Sequence, residues 1–202
     1  MNPDGPPVDK QRLFQDWSER VESLSPSGGM LVGDFHVAWS VTQVSLQANA
    51  VQGMLFTAGL AFLVLLLSTC NWLLSLYAML GVVGVISSVF LVVNLLGWEF
   101  GIPEALALIV IIGFSVDYVL HIGTHYVSAV GETRKAKTQL ALGEIAVSVL
   151  GGGVTTFGVA VALLFATFQL FFRFGVFIGL TVPFSLLYAL LFFTALLHTA
   201  GP

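Results

Sequence analysis

The sequence predicts an all-α membrane protein, five spanning helices behind a short polar segment. Two observations carry that prediction. The 202-residue chain is 57% hydrophobic and only 9% charged, with mean hydropathy +0.96, whereas a soluble domain carries roughly 25% charged residues. Its apolar residues also gather after residue 50 into five runs, each near the roughly 20 residues that a helix needs to cross a bilayer. In lipid the backbone must satisfy its own hydrogen bonds, so runs of this length read as helices.

Residues 1–50 are polar and read as the end of an extracytoplasmic domain. "MNPDGPPVDK" is rich in Pro, Gly and Asp and reads as flexible. "DKQRLFQDWSERVESL" sets Leu13, Phe14, Trp17, Val21 and Leu24 at helical spacing, which predicts a short amphipathic helix. "SPSGG" breaks it. "GDFHVAWSVTQVSLQANA" is rich in hydroxyl and β-branched residues and reads as a strand or loop leading toward the bilayer. The five-helix domain then covers 51–200. Its spans are read at Val51–Cys70, Trp72–Leu96, Pro103–Tyr126, Ala141–Phe168 and Phe174–His198. The connectors "CNW", "GWEFGIP", "VGETRKAKTQ" and "FFRFG" are short, so consecutive spans are antiparallel neighbours. Pro183 falls inside the fifth span, where a kink is tolerated.

Charge sets the expected orientation. Lys and Arg near span ends favour the cytoplasmic side, and Arg134, Lys135 and Lys137 cluster after the third span. The N-terminus is then extracytoplasmic and the C-terminus cytoplasmic, with Arg173 the one basic residue against the rule. Plasma membrane and endomembrane are not distinguished. No Lys or Arg lies between Arg20 and Arg134, which excludes a basic nucleic-acid surface. A single cysteine, Cys70, excludes an intrachain disulfide and a thiolate metal cluster. The polar start is unlike a signal peptide.

The third span carries a cluster that lipid alone does not explain. Gly113, Asp117, His121 and His125 recur every four residues. Four residues advance an α-helix by about 400°, so the four positions form one slowly drifting stripe. A charge at mid-membrane costs at least about 2.5–3.5 kcal/mol on insertion scales. Protonation of Asp117, or pairing with protonated His121 one turn on, relieves that cost. Both routes tie the charge state to proton or cation occupancy, and intramembrane carboxylates mark ion and proton pathways. Gly113 removes a side chain beside Asp117 and invites close approach. Ser115 and His125 are accessory candidates, His125 near the headgroup level. In the fourth span "GGGVTTFG" offers Gly152 for packing against the third span, and Thr155 and Thr156 as hydroxyls toward Asp117; small-residue packing is the plainer reading. Glu99, Glu104 and Glu144 flank span ends and read as interfacial and hydrated.

Enzymatic readings fail on residue counts. "HIGTH" matches a His-x-x-x-His box, but membrane di-iron sites need more histidines than the four present. An intramembrane aspartyl protease needs two aspartates, and Asp117 is the only Asp in the spans. Ser115 has no evident histidine base on a separate helix, and no Walker loop occurs. The chain is read as no enzyme, with no cofactor and no metal.

"GFSVDYVLHIGTHYVSA" resembles the Gly-x-x-x-Asp segment in the tenth helix of the resistance–nodulation–division superfamily. It is nearest the eukaryotic branch of Patched, Dispatched and the Niemann-Pick type C sterol transporters. The match falls on Gly113, Ser115, Val116, Asp117, Tyr118 and His121. "GGGVTTFG" resembles the next helix of that family, and "FQDW" the end of its second extracytoplasmic domain. The resemblance covers about Val51 to the C-terminus as helices eight to twelve, part of one half-unit. It implies a proton- or sodium-driven transporter of lipid, sterol or lipidated cargo. The coupling ion would sit at Asp117, with His121 as partner and Gly113 as the close-approach position. No span contains the lysine of the bacterial exporters. The family's first half is expected as the missing partner, on the same chain or as a homologous subunit. A non-transporting Patched-like receptor or scaffold, and a truncated product without activity, are the competing expectations.

Overall fold

The structure, a computed structural model, describes residues 7–24, 35–98, 102–131 and 133–202. Those residues form helices α1 (Pro7–Leu24), α2 (Phe35–Thr69), α3 (Trp72–Leu95), α4 (Ile102–Ser128), α5 (Arg134–Leu164), α6 (Gln169–Leu187) and α7 (Thr194–Ala200). A single π-helical segment, Tyr188–Phe193, joins α6 to α7, so Gln169–Ala200 runs as one long span. Five helices are long and apolar enough to cross a membrane. The chain divides into two units, Met1–Gln52 and Gly53–Pro202.

In the first unit α1 opens on Pro7, where a missing N–H costs nothing. Trp17 and Leu24 are exposed, and the Arg20 guanidinium lies 5.7 Å from the Trp17 ring centre. "SPSGG" lies outside the described residues. The strand or loop expected over 33–50 is corrected: from Phe35 onward the backbone is α-helical. No Gly or Pro interrupts 35–52, so nothing there breaks a helix, and β-branched residues lower helix propensity only slightly.

In the second unit several helix ends have a local cause. Cys70, at φ +49°, turns the chain out of α2. The Asn71 side chain then caps α3, accepting from the N–H groups of Leu73 and Leu74 at 3.1 and 3.3 Å. Gly97, at φ +71°, reverses the chain after α3. The fourth span begins seven residues before the expected Ala141 and ends at Leu164, short of Phe168. Thr133 caps it, its hydroxyl accepting from the Ala136 N–H at 3.2 Å, so the basic cluster lies in the first turn of α5 and not in a loop.

Helix α4 is the most enclosed of the five spans. It packs against α3, α5 and α6. Ile112, Val116, Val119, Ile122 and Tyr126 on α4 join Leu65, Leu74, Val82, Val149, Phe193 and Leu197 in the main core. Ala107 and Ile111 join Val85, Val89, Val93 and Phe177 in a second cluster. Close approach between α5 and α6 occurs at Gly153, where a Cβ would stand 2.7 Å from Leu186 Cδ1. At Gly152, the glycine expected to do this against α4, a Cβ would meet nothing within 4 Å.

The reading of Glu104 as hydrated is also corrected. Its side chain is 2% exposed and forms an ion pair with Arg173 of α6. The guanidinium lies 5.0 Å from the Trp98 ring centre, and Trp98 stacks edge-on against Phe177. Arg173, the residue that ran against the charge rule, is the counter-ion of a buried carboxylate.

Candidate ion-binding groove between α4 and α5

The stripe read from the spacing forms on α4. Gly113, Asp117 and His121 are exposed in this chain, while Ile112, Ser115, Val116, Tyr118, Val119 and Ile122 around them are buried. Helix α4 thus buries most of its apolar residues against three neighbours and leaves the polar stripe uncovered, with Leu106 and Val127 exposed beside it. The stripe opens into a cavity of about 280 Å³ lined by Phe114, Asp117, Tyr118 and His121 from α4 and by Ser148, Val149, Gly152 and Thr156 from α5. Asp117 and His121, one turn apart on α4, both line it. Thr156 donates its hydroxyl to the Gly152 carbonyl at 2.9 Å.

The other site candidates sort by face. Ser115 is two residues from Asp117, about 200° around the helix, and points the opposite way. Its hydroxyl donates to the Ile111 carbonyl at 2.7 Å and meets Ser185 Oγ of α6 at 3.0 Å. It belongs to the α4–α6 contact, not to the groove. Thr155 is exposed, donates to the Gly152 carbonyl at 2.8 Å and does not line the cavity. Gly113 lies on the stripe, and a Cβ there would meet nothing within 4 Å. Among the described residues nothing makes the close approach expected at Gly113. His125 Nδ1 lies 3.2 Å from Glu144 Oε2 on α5, so Glu144 is paired with a residue of the stripe.

Tyr118, Ser148 and Glu144 were not singled out by spacing on α4. A signal for two of them exists in the sequence. Glu144, Ser148, Gly152 and Thr156 repeat every four residues on α5, which makes them one face of that helix. Tyr118, next to Asp117, is marked in the sequence only by the family resemblance and not by the stripe's spacing.

The chemistry available is that of a carboxylate beside an imidazole, in a small polar pocket within an apolar bundle. Hydroxyls face it from the next helix. Such a group binds a proton or a small cation and changes charge when it does so.

No family model matches the chain. Curated relatives do. The chain is 31% identical to protein dispatched homolog 1 of Mus musculus over 193 residues, 92% of this chain and 12% of that protein. It is 30% identical to protein dispatched homolog 3 of Gallus gallus over 205 residues, covering 94% and 15%. It is 28% identical to protein dispatched homolog 2 of Homo sapiens over 204 residues, covering 98% and 14%. The chain thus spans about an eighth to a seventh of the length of these relatives. With its Gly-x-x-x-Asp helix at the centre of a five-helix bundle, this multi-pass membrane chain belongs to the Patched/Dispatched-like branch of the resistance–nodulation–division superfamily.

Proposed function

We propose that this chain is the C-terminal part, carrying the ion-coupling helix, of a proton- or sodium-gradient-driven transporter for lipid, sterol or lipidated cargo. Asp117 binds the proton or sodium ion, and His121 balances its charge. The observation that carries the reading is the exposure pattern of α4. The most enclosed span of the bundle leaves Gly113, Asp117 and His121 uncovered, and a cavity with Ser148 and Thr156 in its lining adjoins them. A residue whose task was only to glue helices would be satisfied within its own bundle, as Ser115 is by Ser185.

Energetics supports the coupling. One charge crossing 100 mV of membrane potential yields about 2.3 kcal/mol. That is close to the insertion cost of a charged mid-span aspartate, about 2.5–3.5 kcal/mol. Filling and emptying Asp117 therefore carries enough free energy to bias helix packing between two arrangements. Two-repeat transporters place such sites at the interface between repeats, so a second half-unit, on the same polypeptide or as a homologous subunit, is the fitting cover for the stripe. The basic first turn of α5 supports a cytoplasmic position for that end of the bundle, and with it a cytoplasmic C-terminus.

The test is Asp117→Asn in the intact protein, reconstituted in liposomes under an imposed proton or sodium gradient. Loss of gradient-dependent ion and cargo movement, with melting temperature unchanged, is the expected result. Undiminished movement would sink the proposal.

A further inference from the structure

We infer that the π-helical segment Tyr188–Phe193 is a register switch. The span Gln169–Ala200 has two registers, one residue apart, and passing between them turns its α7 end by about 100°. The inference stands apart from the reading of Asp117.

Periodicity is the first observation. Ser185, Ala189, Phe193, Leu197 and Gly201 are all buried and recur every four residues. In an uninterrupted α-helix each such step drifts by about 40°, so the stripe would wander about 160° around, out of the core. A π-turn, closed by i→i+5 bonds, holds one residue more than an α-turn. Everything past it is set back by one position, about 100° and about 1.5 Å. Tyr188–Phe193 thus keeps Phe193, Leu197 and Gly201 on the face that Ser185 and Ala189 define.

The sequence supplies the alternative. If the π-turn closes to α, each place after it is filled by the preceding residue. Phe192 then replaces Phe193 and Leu196 replaces Leu197. Both exchanges return the same side chain to positions that are fully buried. The doublets of "LLFFTALL", residues 190–197, are what make the two registers alike. Two exchanges are imperfect. Phe193 takes the place of Thr194, and Ala200 that of Gly201. A Cβ at Gly201 would stand 2.5 Å from the Tyr126 hydroxyl, so the π register is the resting one and Tyr126 must let go in the other.

Attachment is the third observation. Before and at the start of the π segment, contacts are made by side chains. Ser185 Oγ meets Ser115 Oγ at 3.0 Å, and the Tyr188 hydroxyl meets Ser88 Oγ at 3.2 Å, its ring in the notch left by Gly84. These hold α6 in place. After the segment the polar contacts fall on the main chain. Arg134, Tyr77 and Tyr126 donate to the carbonyls of Thr199, Ala200 and Pro202 at 3.2, 3.4 and 3.0 Å. Every residue supplies a carbonyl, so Arg134 and Tyr77 find new acceptors after a one-residue slip. Thr194 serves both registers. Its N–H now bonds to the Leu191 carbonyl, and its hydroxyl donates to the Leu190 carbonyl. In the α register its N–H takes Leu190. Neither state strands that carbonyl in lipid, where an unsatisfied group is costly.

The experiment uses the intact protein in nanodiscs, with nitroxides on Leu140→Cys and His198→Cys after other reactive cysteines are replaced. Both positions are exposed, toward the end where α5 begins and α7 stops. With a helix radius of about 5–6 Å, a turn of about 100° carries the His198 label about 8 Å, which pulsed electron spin resonance resolves. Phe193→Ala empties the core position of the π register alone. It is expected to move the population to a second distance. Its melting temperature should fall by less than the roughly 6 °C that losing a core Phe costs at minimum in a fixed register. Phe192→Ala should keep the first distance. Deleting one residue of the Leu190–Leu191 doublet removes the π-turn and leaves the core as it is, so Phe193→Ala in that background should keep the first distance too. An unchanged distance in Phe193→Ala overturns the switch, whatever the melting temperature. So does a Phe193→Ala protein that does not fold, because Phe192 then fails to fill the core. A shift that survives the deletion arises elsewhere and also overturns it. Should the deletion protein not fold, the Phe193→Ala and Phe192→Ala distances decide by themselves.

Discussion

Replacing Arg173 with Ala tests how the far end of α4 is held. Glu104 is 2% exposed and Arg173 27%, so the pair is largely withdrawn from solvent. Removing one partner of a buried pair costs about 3–5 kcal/mol, because the other charge stays buried. Two smaller effects adjust this figure. The guanidinium over Trp98, at 5.0 Å, is lost, which adds about 0.5–1 kcal/mol. Glu104 lies in the first turn of α4, where the helix dipole still favours a carboxylate by about 0.3–1 kcal/mol. These nearly cancel. The residual exposure of Arg173 points to the low end, about 3 kcal/mol. At about 2–4 °C per kcal/mol for a chain of this size, the melting temperature should fall by about 6–12 °C. Thermal unfolding in nanodiscs, followed by tryptophan fluorescence, reads this directly. Glu104→Gln combined with Arg173→Ala should cost less than the sum of the single changes, since neither leaves the other's charge behind. An Arg173→Ala protein melting with the unaltered one, or strictly additive single effects, would refute the reasoning.

Gly153→Val should destabilise by about 1–3 kcal/mol, since its side chain must displace Leu186 from a packed α5–α6 contact, while Gly152→Ala should stay within about 0.5 kcal/mol; paired melts in nanodiscs check both. Gly113→Leu should leave the melting temperature of this bundle unchanged, because nothing lies within 4 Å of its Cβ position. The same change should abolish ion flux in the intact protein if another helix packs on the stripe, and unchanged flux would show that none does.

The sequence made the α4 stripe legible because helical periodicity is local. Asp117 and His121 share a face whatever surrounds them, and the structure has them on one face. The same arithmetic separates Ser115, which the resemblance brings in as a candidate, from Asp117, and Ser115 meets α6 instead. What the periodicity of α4 alone does not carry is register between helices. Glu144 reads as a hydrated end residue and is 67% exposed, but its pairing with His125, 19 residues away, is set by the register of α4 against α5. Arg173 and Glu104 are 69 residues apart, and each alone looks like an interfacial charge. The same limit governs boundaries. Arg134, Lys135 and Lys137 looked like a loop because they are polar, yet Thr133 ahead of them is a capping residue, and a cap outweighs polarity in deciding where a helix begins. The polar groups that the helices leave open are therefore the informative ones. Ser115, Thr181 and Thr138 all bond within their own bundle, and the mid-span face that keeps ionisable groups outward is the face that carries Asp117 and His121. In a chain this apolar, leaving that face outward is costly unless something outside these five helices covers it, and this is the physical reason to look there for a bound proton or cation.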